Sequence, residues 1–279
     1  MKRIQELDCL RGIAAFVVLL FHYTAKFRSE FGHTFSEVFD VRFGHYGVQL
    51  FFIISGFVIF LTIERSEKAS DFVVKRFSRL YPTYWACLLV TFFSMSLFPI
   101  SNERSATVSE FLMNTTMLQG LLKIKNVDGA YWSLLPELLF YGFILVLYQT
   151  KQLKNIKIFG AIWLILVVIA KTIQLPGLAV ILLNLNYGML FFAGILFYKI
   201  WQGEQTWQNH ALIAACFITA LYYFNDKPEA LWIMPIIFLV FYLFTFGLLK
   251  WMVVKTFNFF RKYIVCVIFS SSKYRIYRT

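Results

Sequence analysis

Residues 8–23, with the sequence DCLRGIAAFVVLLFHY, place two ionisable side chains at the ends of an apolar run. Ten uncharged residues, most of them large and apolar, separate Arg11 from His22. At about 100° per residue, eleven helical steps bring His22 to within about 20° of Arg11 on the same face, about 16 Å along the axis. The sequence therefore predicts a membrane-inserting helix with a cation near one membrane surface and an imidazole near the midplane.

The composition of the chain is that of a polytopic membrane protein. Of its 279 residues, 59% are hydrophobic and 15% are charged, and the mean hydropathy is +0.65, whereas soluble proteins are about 45–50% apolar and 25% charged. The net charge is +12, but the basic residues lie between apolar runs, where they act as topology signals. No nucleic-acid partner is expected. The four cysteines show no C-x-x-C spacing, which predicts neither disulfides nor a metal site.

The apolar runs predict an all-α transmembrane helix bundle of about eight to nine spans, with no soluble domain. The expected spans are residues 9–27, 47–63, 81–100, 131–148, 158–173, 178–201, 211–224 and 231–249, with a ninth, interrupted by three basic residues, at 251–269. Residues 108–122 are expected to form an amphipathic helix at the interface. Basic residues concentrate in the connections after the second, fourth and eighth spans, which indicates a cytoplasmic N-terminus.

Two ionisable side chains lie inside predicted spans, where an unpartnered charge is costly. His22 is either a packing histidine hydrogen-bonded to a neighbour or a functional imidazole, and its alignment with Arg11 favours the second interpretation. Glu137 follows Pro136, which removes one main-chain hydrogen bond and can loosen the helix. A buried Glu137 could orient or charge-balance a histidine, whereas a Glu137 near the span end would reach interfacial water.

Arg76 and Arg79 stand three residues apart on one helical face, directly before the third predicted span. Paired guanidinium forks suit an anionic phosphate, and ordinary anchoring at the membrane surface is the alternative. Asp8 precedes Arg11 by one helical turn, so the two can pair; an ordinary interfacial salt bridge explains the same spacing.

Small residues in the second predicted span indicate close packing against another helix. Gly47, Ser55 and Gly56 interrupt an otherwise bulky apolar sequence. Such residues let two helix backbones approach each other in a membrane. By itself, this pattern predicts packing and no chemistry.

Taken together, these stretches resemble the membrane acyltransferase-3 family, the integral-membrane O-acyltransferases that modify bacterial surface polysaccharides and related molecules. Residues 7–15, LDCLRGIAA, are similar to the family's L-D-G-L-R-G-I-A-A opening, and His22 lies at its R-x10-H distance. Residues 76–82, RFSRLYP, resemble its R-x-x-R-[IL]-x-P signature, and residues 132–137, WSLLPE, resemble its W-S-L-x-x-E segment. Further matches are GV at 47–48, FF at 51–52, SGF at 55–57 and FFAG at 191–194.

The resemblance implies a bundle of about ten spans that moves an acyl group, usually acetyl, from acyl-CoA to a hydroxyl of a carbohydrate or lipid-linked glycan. It places the protein among the lipids of the bacterial inner membrane. No cofactor or metal is expected to be permanently bound, since acyl-CoA (acetyl-CoA) is the donor substrate. The implied site residues are His22 as catalytic residue, Arg11 as its partner, Glu137 as a required acid, and Arg76 and Arg79 near the CoA phosphates, with Asp8, Ser55, Trp132 and Ser133 in support.

The end of the chain departs from the family pattern. The family usually closes with a W-L-G-x-[IL]-S-Y-S-x-Y-L-x-H type segment and a last span, but this chain has FNFFRKY at 257–263 and SSSKYRIYRT at 270–279. Cys9 also stands where glycine is usual. We therefore expect a shortened or disrupted C-terminus, with one transmembrane acyltransferase domain at 1–269 and a disordered basic tail at 270–279.

The hypothesis from sequence is that neutral His22 accepts the proton of an acceptor hydroxyl as it attacks the thioester. A general base of this kind is typically worth about 10²- to 10⁴-fold, and a covalent acyl-histidine is the alternative route. A membrane transporter or translocase would also carry buried charges and Gly or Pro breaks in its spans. A third interpretation is an inactive, truncated acyltransferase.

Overall fold

All regular structure in the described part of the chain is helical, as the apolar runs predict. The structure is a computed structural model that describes residues 4–32, 37–97 and 106–253. A π-helical segment, His22–Lys26, follows α1, and 3-10 segments at Arg42–Tyr46 and Gly129–Ser133 lead into α3 and α6. The helices are α1 (Gln5–Phe21), α2 (Phe27–Phe31), α3 (Gly47–Glu64), α4 (Ala69–Leu97), α5 (Val108–Asn114), α6 (Leu134–Gln149), α7 (Ile156–Ile173), α8 (Gly177–Leu182), α9 (Gly188–Trp201), α10 (Trp207–Tyr223) and α11 (Ala230–Thr245).

Several helical stretches are long and apolar enough to cross a membrane. Within the described residues there are five: Gln5–Glu30, Arg42–Glu64, Ala69–Leu97, Gly129–Gln149 and Leu153–Ile173. α9 and α11 are apolar but shorter. The chain is thus a helical membrane protein, while the count of eight to nine spans and the cytoplasmic N-terminus stay predictions. Most of the ninth predicted span and all of the tail at 270–279 lie outside the described residues.

The outer face of α7 carries a stripe of exposed apolar side chains. Ile158, Ile162, Ile165 and Ile169 recur every three or four residues, and their side chains are between 38% and 61% exposed. On the opposite face, Val167 is fully buried. A helix that is apolar on both its buried and its exposed face is typical of a membrane span, because water would penalise the outer stripe.

The third span differs from its prediction. It was expected at residues 81–100 with Pro82 at its start, but α4 is one helix of 29 residues with Pro82 inside it. Proline deletes a single main-chain hydrogen bond, and membrane helices tolerate this loss because neighbouring groups compensate. As a result, Arg76 and Arg79 project from α4 itself and not from a connection before it.

Residues 178–201, expected as one span, form α8 and α9 with a break between them. Asn184 adopts a left-handed conformation with φ of 49°, and its side-chain amide donates a hydrogen bond to the Pro136 carbonyl at 3.0 Å. The Trp163 indole donates to the Leu183 carbonyl at 2.9 Å. These bonds from other helices hold the chain out of helical geometry, so the single-span prediction is wrong here.

The expected amphipathic helix at 108–122 is shorter than predicted, because α5 ends at Asn114. The Asn114 side chain is fully buried. Its amide donates to the Lys125 carbonyl at 3.0 Å, and its oxygen accepts from the Val127 amide at 3.1 Å. This side chain therefore ties the end of α5 to the segment that leads into α6.

The centre of the bundle is the crossing of α3 and α9. A Cβ atom at Gly56 would overlap the Phe191 main chain, and one at Gly194 would overlap the Ile53 carbonyl. A Cβ at Gly47 would likewise collide with the Ala14 carbonyl of α1. The prediction that small residues in the second span allow close backbone approach is confirmed at Gly47 and Gly56.

Replacing Gly194 by alanine is expected to lower the melting temperature of the purified protein in detergent. The added methyl group must push α9 away from α3, and overpacking of this kind costs about 1–3 kcal/mol. The matched control is Gly142→Ala, since Gly142 lies in α6 with open space where its Cβ would be. Equal melting temperatures for the two variants would contradict the assigned crossing.

Candidate active site

Arg11 lies on α1 within a cluster of charged groups from several helices. Its Nη1 is 3.9 Å from Asp8 Oδ1, and the two side chains are 19% and 12% exposed. The ion pair that the spacing predicts is therefore present. Arg11 also interacts electrostatically with Arg79 of α4 and with Glu137 and Tyr141 of α6. The folded chain thus brings residues from three separate parts of the sequence close to the Arg11 guanidinium group.

The Glu137 carboxylate is held between α6 and α3. Its Oε1 accepts hydrogen bonds from the Tyr141 hydroxyl at 2.5 Å and from Ser55 Oγ at 3.2 Å. Tyr141 is one turn further along α6, so its position follows from helix geometry. Two hydroxyl donors therefore orient the Glu137 carboxylate inside the bundle. This carboxylate also interacts electrostatically with Arg11.

Arg76 is buried, with 6% of its surface exposed. Its guanidinium donates to the Val58 carbonyl at 3.0 Å and to the Thr62 hydroxyl. The same group lies 5.7 Å from the Phe72 ring centroid and 5.6 Å from that of Tyr141. These contacts make Arg76 a connection between α4, α3 and α6.

Arg79, one turn further along α4, is exposed although it interacts electrostatically with Arg11 and Arg76. The two arginines that the sequence pairs thus have different surroundings. In this cluster three guanidinium groups, on Arg11, Arg76 and Arg79, accompany two carboxylates, on Asp8 and Glu137. The excess is positive, and the exposed member is Arg79.

His22 lies three turns beyond Arg11, where α1 passes into the π-helical segment. Its Nδ1 is 2.8 Å from the Val18 carbonyl oxygen, and its ring meets the edge of Phe21 at 5.3 Å between centroids. The imidazole is partly exposed. Among the described residues, no hydrogen bond or ion pair joins it to Arg11 or Glu137, so the structure does not connect His22 directly to the charged cluster.

Among the described residues, no hydrogen bond joins Glu137 to Trp132 or Ser133, the two supporting residues of the WSLLPE segment. Trp132 is 39% exposed and contacts the rings of Phe52 and Tyr187. Ser133 Oγ donates to the Ala130 carbonyl at 3.2 Å, which stabilises the turn before α6. Of this segment, Glu137 is the residue that enters the charged cluster.

Sequence reasoning did not select Tyr141 or Thr62, which contact Glu137 and Arg76. The spacing offers a signal for each of them: Tyr141 is four residues after Glu137, and Thr62 is seven residues after Ser55. Both intervals place polar groups on one helical face. Ser55 and Thr62 therefore form a polar stripe along α3, about 10 Å long at 1.5 Å per residue.

The sequence profile of the family described as "Acyltransferase domain" (acyltransferase-3) matches residues 4–277. The chain belongs to this acyltransferase family. It is 30% identical over 173 residues to a protein named O-acetyl transferase from Shigella phage Sf6, covering 57% of this chain and 50% of that protein. It is also 30% identical over 122 residues to Nodulation protein 10 of Rhizobium leguminosarum bv. viciae, covering 37% of this chain and 33% of that protein.

The chain thus spans half of one of these curated relatives and a third of the other. No solved structure matches it. In the described part of the chain, no three His, Cys, Asp or Glu side chains come close enough together to hold a metal ion.

The different surroundings of Arg76 and Arg79 lead to a stability test. Arg76→Met should lower the melting temperature in detergent, because it removes the bonds to Val58 and Thr62 and leaves Glu137 with one cation fewer. Arg79→Met should change the free energy of unfolding by no more than about 0.5 kcal/mol, as is usual for exposed substitutions. Equal losses for both variants would show that Arg76 does not connect the three helices.

Proposed function

We propose that this chain is a membrane O-acyltransferase that moves an acyl group, acetyl in the simplest case, from acyl-CoA to a hydroxyl of a cell-surface carbohydrate or related acceptor. Family membership and the relative named O-acetyl transferase support the reaction class. The enzyme would act in the bacterial plasma membrane as a multi-pass protein with its N-terminus in the cytoplasm, where acyl-CoA is made.

The charged cluster supports an anionic donor substrate. Its guanidinium groups outnumber its carboxylates, and the exposed Arg79 is one helical turn from the buried Arg76. A guanidinium fork binds phosphate oxygens through charge-assisted hydrogen bonds. In this proposal Arg79 contacts the CoA phosphates, and Arg76 positions the Glu137 and Tyr141 side chains behind it.

The observation that carries the chemical role of His22 is its contact with Val18. A main-chain carbonyl oxygen can only accept a hydrogen bond, so the imidazole Nδ1 must be the donor at this 2.8 Å contact. In the neutral ring the other nitrogen, Nε2, then carries the lone pair. This tautomer leaves Nε2 able to accept a proton, which is what a general base requires.

In the proposed step, the acceptor hydroxyl oxygen attacks the thioester carbonyl carbon, and its proton passes to His22 Nε2. The carbon–sulfur bond then breaks, the CoA thiolate takes the proton from the imidazolium, and the acceptor leaves as an ester. The long pantetheine arm of CoA separates its phosphates from its thioester, so a phosphate site at Arg79 is compatible with an imidazole about 16 Å from Arg11.

Replacing His22 by alanine is expected to abolish transfer of radiolabelled acetyl groups from acetyl-CoA to surface glycan, with a loss of about 10²-fold or more. Protein abundance in the membrane serves as the control for folding. Unchanged acetylation at normal abundance would remove His22 from the mechanism.

Replacing Arg79 by glutamine is expected to raise the KM for acetyl-CoA about five- to tenfold with little change in kcat. The lost interaction is an exposed charge–phosphate contact, which salt screens, so the difference from wild type should shrink as ionic strength rises. A lowered kcat with an unchanged KM would place Arg79 outside the donor site.

A further inference from the structure

The connection between α5 and α6 is hydrogen-bonded to the middle of α4. Three consecutive carbonyls, those of residues 114–116, each accept a bond from an α4 side chain. In the order of the acceptors, the donors are the Tyr84 hydroxyl at 2.6 Å, the Trp85 indole at 3.0 Å and the Tyr81 hydroxyl at 3.1 Å. The depth of this connection in the membrane is therefore set by the depth of Tyr84 and its neighbours.

Tyr84 lies inside the hydrocarbon at every placement of α4 that spans it. α4 has 29 residues, so it is about 42 Å long, and the hydrocarbon is about 30 Å thick. Tyr84 is 15 residues from Ala69 and 13 residues from Leu97. Even with one end of α4 level with an edge of the hydrocarbon, Tyr84 is at least about 7 Å from the other edge. Residues 114–116 are therefore at membrane depth as well.

The chain from residue 115 to residue 126 starts at this depth and is not helical. It forms turns and irregular structure, and Met117 and Lys123 adopt left-handed conformations with φ of 62° and 55°. The flanking stretches Ala69–Leu97 and Gly129–Gln149 are both able to cross the membrane, so the connection between them enters and leaves at one membrane face. Non-helical backbone at membrane depth is tolerated where it is buried in protein or lines water.

A cavity of about 200 Å³ lies behind this connection, beside the first turn of α6. Asn126 lines it from the connection, and Asn186 lines it from the break between α8 and α9. Both of these side chains are partly exposed. Tyr131 also lines the cavity, and its ring packs edge-on against Tyr84 with 5.1 Å between centroids. The cavity is therefore at the depth of the middle of α4.

The bonding of the two asparagines indicates that the cavity holds water and not lipid. The side-chain oxygens accept hydrogen bonds, that of Asn126 from Gln119 at 2.7 Å and that of Asn186 from Tyr223 at 2.6 Å. Among the described residues, neither asparagine NH₂ group has a partner. Lipid tails cannot accept these hydrogen bonds, whereas water can. The cavity has room for several water molecules, each of which occupies about 30 Å³ in the liquid.

Lys125 supports the same conclusion. Its carbonyl accepts a hydrogen bond from the Asn114 amide at 3.0 Å, and the Asn114 carbonyl is bonded to Tyr84. The main chain of Lys125 is therefore close to the depth of Tyr84, and its side chain is exposed. An ammonium group at this depth is costly in hydrocarbon, so water must reach this part of the connection.

We propose that residues 115–126 form a re-entrant segment and that the cavity behind it is a water-filled vestibule, open at the membrane face where α4 ends and α6 begins. The vestibule admits water and small polar solutes as far as Pro136, which lines the cavity and precedes Glu137. With the cytoplasmic N-terminus of the proposed function, this is the outer face. The inference does not depend on the proposed reaction, because it concerns only the solvent that reaches the cavity.

The test is cysteine labelling with MTSES, a negatively charged methanethiosulfonate that does not cross membranes, applied to either side of sealed membranes that contain the full chain. Asn126→Cys and Asn186→Cys each place a thiol in the cavity, from two different segments. Methanethiosulfonates react with the thiolate, which forms in water. Both variants should therefore be labelled at least about tenfold faster than a thiol in lipid. Labelling of the parent chain, which keeps its four cysteines, is subtracted.

Two further variants calibrate the labelling. Ile165→Cys is the lipid control, because Ile165 is 59% exposed on the outer stripe of α7 and is eight residues from the end of that helix at Ile173. Lys68→Cys marks the opposite membrane face, since Lys68 is exposed directly before α4. The cavity thiols should react only from the side that does not label Lys68→Cys.

A cavity variant that accumulates normally but is labelled no faster than Ile165→Cys overturns the proposal, because its thiol is then in a dry environment. Labelling of a cavity variant from the side that labels Lys68→Cys also overturns it. If one of the two cavity variants fails to accumulate in the membrane, the other decides the result. Acetyl transfer does not enter the measurement, so failure of the proposed function would leave this result unchanged.

Discussion

The direct backbone contact between α3 and α9 is the constraint on which the bundle depends. It exists because Gly56 and Gly194 have no side chains at the crossing. In lipid the hydrophobic effect does not drive helices together, so close van der Waals contact must do so. This contact makes α3 the central helix, and it fixes Ser55, the neighbour of Gly56, where its hydroxyl reaches Glu137 of α6.

The charged cluster shows how the bundle tolerates ionised groups away from water. The Arg11 guanidinium has the Asp8 carboxylate nearby, and that of Arg76 has the Val58 carbonyl and the Tyr141 ring. The Glu137 carboxylate has two hydroxyl donors. Because these groups share partners, substitutions within the cluster will not be additive. Arg76 of α4 contacts both α3 and α6, whereas Arg79 on the same helix is exposed. Two residues of one sequence motif therefore have different structural roles.

Features that depend on local spacing could be predicted from the sequence, and features that depend on distant partners could not. The helical class follows from the apolar runs, and the Asp8–Arg11 pair follows from a separation of one turn. The break before α9 depends on a bond from Asn184 to Pro136, 48 residues away, for which the sequence offers no local signal. The roles of the site residues come from the family resemblance, since spacing identifies neighbours and not chemistry.

The π-helical segment His22–Lys26 acts geometrically as a one-residue insertion in the first membrane helix. It begins at the imidazole, so the helix before it keeps the ordinary register from Arg11. The side chains of α2 are rotated by about 100° relative to an uninterrupted helix, and from this helix Arg28 meets Asp40 at 2.6 Å. A relative that lacks the bulge, and is therefore one residue shorter here, would keep its arginine and histidine in phase but present a different face to the connection that follows. Its alignment to this chain would need a gap at this point.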